Sequence, residues 1–296
     1  MKKNKLELLD TNLLLTEEFK IVQYWLKVYR AEVGWHYLLD LTWQLKEILK
    51  MNLPLKATII DAGAGNGMMQ FILASLGYNI LSVDFNNRKI PKRFSKIFNI
   101  KNENNKFFKN EYINHLANIK SNKKNYSLNL RILNHRFIYE YIKTRFVPYG
   151  NIKYITADFS NLDFIFDNSI DAIVSTSAIE HNKSIEKLKM SVNEFDRILK
   201  KHAPMIITTS ATNEASWWHE PSKGYCFSEF ELKNIFNLSD CQSNFKTYKK
   251  VLLDIKNSDF LKAKMPSYYI NNPNCGMPFG KWDPKYVPVG IIKYKY

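Results

Sequence analysis

The residues with the plainest chemical use lie in the run Ala57-Thr58-Ile59-Ile60-Asp61-Ala62-Gly63-Ala64-Gly65-Asn66-Gly67. A short apolar strand enters a glycine-rich turn there, and the nearly all-apolar stretch Met68 to Leu76 leaves it as a helix stopped by Gly77. Glycines let a ligand approach the backbone, and free N–H groups at a helix start favour a carboxylate or a phosphate. Two nucleotide patterns fail. The spacing Gly63-x-Gly65-x-Gly67 leaves Met68 where the dinucleotide fingerprint needs its third glycine, and no Gly-Lys-Ser/Thr follows as a phosphate loop would require. Asn79 to Val83 reads as a second strand ending at Asp84, which completes a right-handed βαβ unit.

The elements around this unit follow from periodicity and caps. Residues 16 to 50 read as two helices: Thr16 caps the first, with Phe19, Val22, Trp25, Leu26 and Tyr29 at helical spacing, and the second runs from about His36 to Lys50. Beyond an irregular segment from Lys89 to Tyr149, alternation resumes. Strands are expected at Ile152 to Ala157, Ile170 to Ser175 and Met205 to Thr209, with a helix from about Ser184 to Lys201. Ser228-Glu229-Phe230-Glu231 is a capping box opening a further helix, and Lys246 to Leu253 and Val287 to Tyr294 are strand candidates. The expected fold is α/β: a Rossmann-like, mostly parallel twisted sheet with helices on both faces, a helical N-terminal extension and a helical basic insertion. The expected division is a cap over residues 1–55 and a ligand-binding domain over 56–296, with 89–149 inserted in it.

The glycine spacing resembles motif I of the class I S-adenosylmethionine-dependent methyltransferases, and the likeness continues along the chain. Asp84 stands where that family holds the ribose diol, Asp158-Phe159 at its adenine contact, Ser177-Ala178-Ile179-Glu180-His181 like its acidic-histidine loop, and Glu194-x-x-Arg197-x-Leu199 in its helix before strand five. Ala203-Pro204 replaces the family's usual Gly-Gly before that strand, a departure away from the cofactor. The resemblance implies S-adenosylmethionine as cofactor, with Asp61, Gly63, Gly65 and Gly67 holding its methionine end. Asp84, Phe85, Asp158, Phe159 and Ser177 would complete its site. The residue types agree, since a carboxylate accepts from two hydroxyls or from an adenine amine. Asp158 equally suits an Asx turn with Ser160 and Asn161.

Methyl transfer needs alignment, water exclusion and, for a hydroxyl acceptor, a base. Imidazole titrates near neutral pH, so the candidate bases are His181 first, His219 second and His36 third. Trp217-Trp218-His219-Glu220 follows strand five at the sheet edge where α/β sites form, and Trp217 and Trp218 are read as acceptor contacts. Gly34-Trp35-His36-Tyr37 could form a lid, with Trp35, His36 and Tyr37 against the acceptor. After strand four stands Ser175-Thr176-Ser177-Ala178 rather than the Asn/Asp-Pro-Pro-aromatic tetrapeptide of many amino-methylating nucleic-acid enzymes, which favours an oxygen acceptor.

Composition bounds these readings. The 296-residue chain is 45% hydrophobic and 24% charged, as in an ordinary globular protein. Its net charge is +15, and residues 89–149 carry 14 Lys+Arg against 3 Asp+Glu, which concentrates the excess in the insertion. That segment suits an anionic small acceptor, such as a sugar phosphate or nucleotide-linked sugar. The alternatives are RNA tracked through Phe107, Phe108 and Tyr112, a solvated lysine-rich surface, and a non-catalytic cofactor-binding protein. A small acceptor is favoured because no RNA-binding module is recognisable. Cys226, Cys241 and Cys275 fit neither a disulfide framework nor a metal site, so no metal is expected. Glu7, Asp10, Glu17 and Glu18 spoil the basic N-terminus as an export signal, no apolar run reaches membrane length, and cytoplasm is the expected location.

Overall fold

The computed structural model describes residues 3–103, 134–266 and 281–296. Among the described residues eleven strands form one mixed sheet: β1 (Asn4–Leu8), β2 (Thr58–Ala62), β3 (Asn79–Asp84), β4 (Ile100–Glu103), β5 (Ile152–Thr156), β6 (Ala172–Thr176), β7 (Pro204–Ala211), β8 (Trp217–His219), β9 (Gly224–Phe227), β10 (Cys241–Ser243) and β11 (Val287–Tyr294). Their order is β10-β1-β11-β7-β6-β2-β3-β5-β4, with β9 on β7 and β8 on β9. The run β7-β6-β2-β3-β5-β4 is parallel throughout, and β11 enters antiparallel between β7 and β1. From β2 the chain first builds outward through β3, then returns from β5 to lay β6 on the other side of β2. That reversal opens a crevice at the carboxyl ends of β2 and β6, where ligands bind in open α/β sheets.

The helices are α1 (Glu17–Tyr29), α2 (Trp35–Lys50), α3 (Met69–Ser75), α4 (His135–Lys143), α5 (Ile185–Ile198), α6 (Glu229–Phe236), α7 (Tyr248–Lys256) and α8 (Asp259–Lys262). Several begin as their sequences predict. The hydroxyls of Thr16, Ser184 and Ser228 accept from the N–H groups of Phe19, Lys187 and Glu231, satisfying donors that a helix start leaves open. Helix α2 docks through a buried polar residue: Gln44 Nε2 donates to the carbonyls of Ser175 (2.9 Å) and Ile206 (3.1 Å), and its Oε1 accepts from Thr176 Oγ1 (2.7 Å). At Gly290 an added Cβ would lie 2.4 Å from the Trp43 ring, so only glycine lets α2 lie this close to β11. These contacts set the N-terminal turn of α2 over the carboxyl ends of β6 and β7.

Three expectations change. The N-terminal extension is not purely helical: β1 alternates buried and half-buried residues and pairs with both β11 and β10, so residues 1–55 begin inside the sheet. Lys246 to Leu253 is not a strand but falls in a short 3₁₀ turn and α7, because Tyr248, Val251 and Ile255 bury one helical face. The described ends of the 89–149 insertion include β4 as well as α4, so they are not wholly helical. Their aromatics pack: Phe94 stacks on Tyr29 at 4.2 Å between ring centres, and Phe98 meets Trp25 at 5.5 Å and Tyr149 at 5.4 Å. Phe107, Phe108, Tyr112 and Cys275 lie outside the described residues.

Candidate active site

The glycine turn is built around backbone that only glycine adopts cheaply. Gly63 and Gly65 have φ of +71° and +48°, and a Cβ on Gly63 would lie 2.4 Å from that of Ala178. Over Gly65 the space is open, the nearest atom to an added Cβ being Asp84 Oδ2 at 4.0 Å. The turn is held by its neighbours: Gly63 and Ala64 donate to the Val83 carbonyl, and Gly65 N donates to Asp84 Oδ2 at 2.7 Å. Asp84 Oδ1 accepts from Asn86 N at 2.8 Å, and each carboxylate oxygen keeps a second lone pair for a diol. Phe85 is 75% exposed beside it, a free aromatic face.

Arg88, which sequence reasoning passed over, ties this end together. Buried to 7% exposure, it donates to Gly65 O (2.9 Å), Ser82 Oγ (2.7 Å) and Ser82 O (2.5 Å), and lies 4.4 Å over the Tyr154 ring. Its charge faces two carboxylates, Asp84 and Asp61. Burial pushes the Asp61 carboxyl up to about 7, Arg88 opposing the rise and Asp84 adding to it. Gln70 completes the set, receiving Ser82 Oγ–H on Oε1 at 2.7 Å and donating to Gly67 O at 2.9 Å.

Asp158 forms the Asx turn: Oδ1 accepts from Ser160 N (3.0 Å) and Oγ (2.7 Å), while Oδ2 pairs with Lys187 at 2.7 Å. Burial would raise this carboxyl, but the Lys187 and Ser160 hydrogen bonds outweigh it and hold it below the usual range. Phe159 lies against the glycine turn, its Cε1 3.4 Å from where a Gly63 Cβ would stand. Ser177 holds a φ of +44° at the end of β6, its N–H on Thr208 O at 3.1 Å. Strain of this kind at a strand end marks a position fixed by its surroundings. Its Oγ donates to Asp40 Oδ2 at 2.9 Å, and the same oxygen meets His36 Nδ1 at 3.1 Å. Ser177 thus joins the segment packed on the glycine turn to helix α2.

Beyond Ser177 opens a cleft lined by His36, His181 and His219, with Tyr37, Glu180 and Trp217 among its other walls. The three candidate bases therefore meet, although they lie far apart in the sequence. They differ in which nitrogen is free. Asp40 takes the Nδ1–H of His36, and the Lys223 carbonyl takes that of His181 at 2.9 Å, so both rings keep Nε2 as an acceptor. His219 Nδ1 instead accepts from Ser222 N at 3.3 Å, which leaves the ring proton on Nε2; burial lowers its pKa. His36 is buried and carboxylate-paired, whereas His181 is exposed.

The aromatic expectations divide. Tyr37 and Trp217 line the cleft. Trp218 is outside its described lining, on the opposite face of β8 by strand alternation, with Nε1 on Glu220 at 2.6 Å and its ring on Tyr225. Trp35 is wholly buried against Trp282 and Tyr286, hence core rather than lid. Asp40, like Arg88, has no place among the sequence candidates, and Glu180 enters them only as part of its loop; the i, i+4 spacing of His36 and Asp40 is the available signal for the first. Among the described residues no group of His, Cys, Asp and Glu could hold a metal ion, and no helix is long and apolar enough to cross a membrane.

Residues 133–207 match the family model described as a methyltransferase domain, a span that holds β5, β6 and α5 but not the glycine turn. A search of curated sequences gives no match. Among solved structures the chain is similar to the [4+2]-cyclase SpnF, at 11% identity and a TM-score of 0.51 over 99% of both chains. It is also similar to an S-adenosylmethionine-dependent methyltransferase from Methanosarcina mazei, at 15% identity and a TM-score of 0.42 over 84% of this chain and 96% of that one. A third, the Haemonchus contortus phosphoethanolamine N-methyltransferase 2 solved with S-adenosyl-L-methionine, is 12% identical with a TM-score of 0.47 over 96% of this chain and 59% of that one. The segment that matches the methyltransferase domain is thus set in a parallel Rossmann-like sheet.

Proposed function

We propose that this enzyme methylates a small-molecule acceptor held in the cleft beyond Ser177, with the His36–Asp40 pair as its base. The observation that carries this is the joint made by Ser177: its neighbour Ala178 lies against the glycine turn, while its hydroxyl holds the carboxylate that orients His36. When bound, S-adenosylmethionine supplies an electrophilic methyl group. The residues at the glycine end fit it: open space over Gly65 for the methionine part, spare lone pairs on Asp84 for the ribose hydroxyls and the exposed Phe85 ring beside the adenine. Phe159 would pack on the same ligand, whereas Asp158, engaged by Lys187 and Ser160, would shape the loop.

Asp40 fixes the His36 tautomer and stabilises the charge that forms when Nε2 takes the acceptor's proton. His181 is the second base in this reading, and His219 a hydrogen-bond donor to the acceptor. Residues 1–55 then act as more than a cover, since α2 delivers His36, Tyr37 and Asp40 to the cleft. A phosphorylated or nucleotide-linked acceptor finds little support in the walls, where Lys285 is the one lysine or arginine among the described lining and is paired with Asp283. The test is calorimetric titration with S-adenosylmethionine and S-adenosylhomocysteine, with NADH as control. Saturable binding of the first two, weakened tenfold or more in Asp84→Ala and kept in His36→Ala, is expected; NADH binding in their place would overturn the reading.

A further inference from the structure

The acceptor cleft holds carboxyl oxygens that the chain itself does not satisfy. Glu180 lines it, buried to 6% exposure, and its Oε2 has no hydrogen-bond partner. Asp40, fully buried behind His36, leaves Oδ1 in the same condition. Burial pushes the Glu180 carboxyl up, with Asp40 adding to the rise, and the groups facing it with opposite sign are the imidazoles of His181 and His36, which are charged only when protonated. Natural proteins rarely leave a buried carboxylate oxygen unpaired, because desolvation is costly unless a donor or a counter-charge replaces water. The paired Lys285 does not supply one.

The remaining walls suit a cation. Tyr37, Trp217 and Tyr286 line the same cleft, and aromatic faces attract a desolvated ammonium through their quadrupoles. Gly224 lets this wall close up: a Cβ there would stand 3.4 Å from Glu180 Cγ and 3.2 Å from His181 Nδ1. A neutral polyol would only hydrogen-bond to Glu180, whereas an ammonium would also supply the counter-charge that keeps a buried carboxylate ionised.

We propose that the acceptor is an amine, held as its ammonium form with Glu180 as counter-ion and aromatic side chains around it. This rests on the methyltransferase reading above and replaces the oxygen nucleophile expected from sequence. His36 Nε2 takes one N–H proton, which leaves the nitrogen its lone pair for the incoming methyl group; a quaternary ammonium, having no such proton, binds without reacting.

That last property supplies the probe. Protein saturated with S-adenosylhomocysteine is titrated with choline and, separately, with 3,3-dimethyl-1-butanol, its uncharged carbon isostere, and with methyl glucoside, all by ligand-observed NMR at millimolar concentration. Choline is expected to bind at least tenfold more tightly than either neutral probe, and Glu180→Gln and Trp217→Leu each to remove most of that preference while S-adenosylhomocysteine affinity stays within twofold. Equal binding of choline and its isostere, tighter binding of the glucoside, no choline binding, or an unchanged preference in Glu180→Gln would each overturn the amine proposal. Failure of S-adenosylhomocysteine to bind would instead overturn the methyltransferase reading, so the two failures are distinct.

Discussion

The glycine end and the acceptor cleft lie on the two sides of Ser177, yet they handle buried polar groups in opposite ways. Around the glycine turn, Arg88, Ser82, Gln70 and Asp84 satisfy one another and the backbone. In the cleft, Glu180 and Asp40 each keep an oxygen without a partner. The first region is a scaffold complete before any ligand arrives; the second is completed by what it binds. A preorganised cradle suits a cofactor of fixed shape, and unmet polar atoms suit the group that selects the acceptor.

The strongest way to break this comparison is at Arg88. Arg88→Met removes a buried cation from between Asp61 and Asp84 and strands the Gly65 and Ser82 oxygens. A loss of about 3–5 kcal/mol in urea unfolding is expected, with S-adenosylmethionine binding lost as well. A loss under about 1 kcal/mol would mean that the glycine end is not the self-satisfied scaffold described here.

Asp40→Asn comes next, and it sharpens the contrast because its effect should fall on catalysis. Turnover is expected to drop by about 10²–10³-fold with the acidic limb of the pH profile altered, while S-adenosylhomocysteine affinity stays within about twofold. His219→Gln should cost far less, since its free nitrogen is a donor. Equal losses in the two variants, measured by methyl transfer to an identified acceptor, would remove His36 as the base.

Asp61→Asn tests the polar balance through pH. The Asp61 carboxyl titrates near 7 in the folded chain and near 4 when unfolded, so the folded state binds more protons between those values. Its cost to stability is therefore absent below about pH 4, grows as pH rises and is complete above about 7. The variant should gain roughly 1–3 kcal/mol over the parent at pH 8, and little at pH 4.5, in paired urea titrations. Phe85→Ala carries the smallest effect: S-adenosylmethionine binding weakened by about two- to tenfold, and stability unchanged within about 0.5 kcal/mol because the ring is exposed.

Much of the cofactor end is legible in the sequence because its determinants are local. A strand, a turn that needs φ above zero and a helix lie within about twenty consecutive residues, and the caps at Thr16, Ser184 and Ser228 act over three. The same locality could have exposed His36 and Asp40, one helical turn apart, but both lie among the apolar residues of a helix that reads as core. β1 alternates visibly, yet its pairing partner β11 begins at residue 287, and strand pairing at that distance leaves no local mark. Tyr248 to Lys256 shows the converse: a short apolar run fits either period, and only the surface beneath it decided for a helix.

By itself the sequence determined the glycine turn, the carboxylate at the end of β3 and the α/β alternation, because each depends on backbone sterics and periodicity within a few residues. The tertiary structure alone decided which histidine is paired with a carboxylate, that Trp35 and Trp218 stand outside the cleft, and that Glu180 sits buried there with one oxygen unpartnered. Those outcomes depend on side chains from residues 36–40, 177–181, 217–226 and 285–286 meeting at one edge of the sheet. Burial and hydrogen bonding across such distances are properties of the packed chain and have no spacing to read.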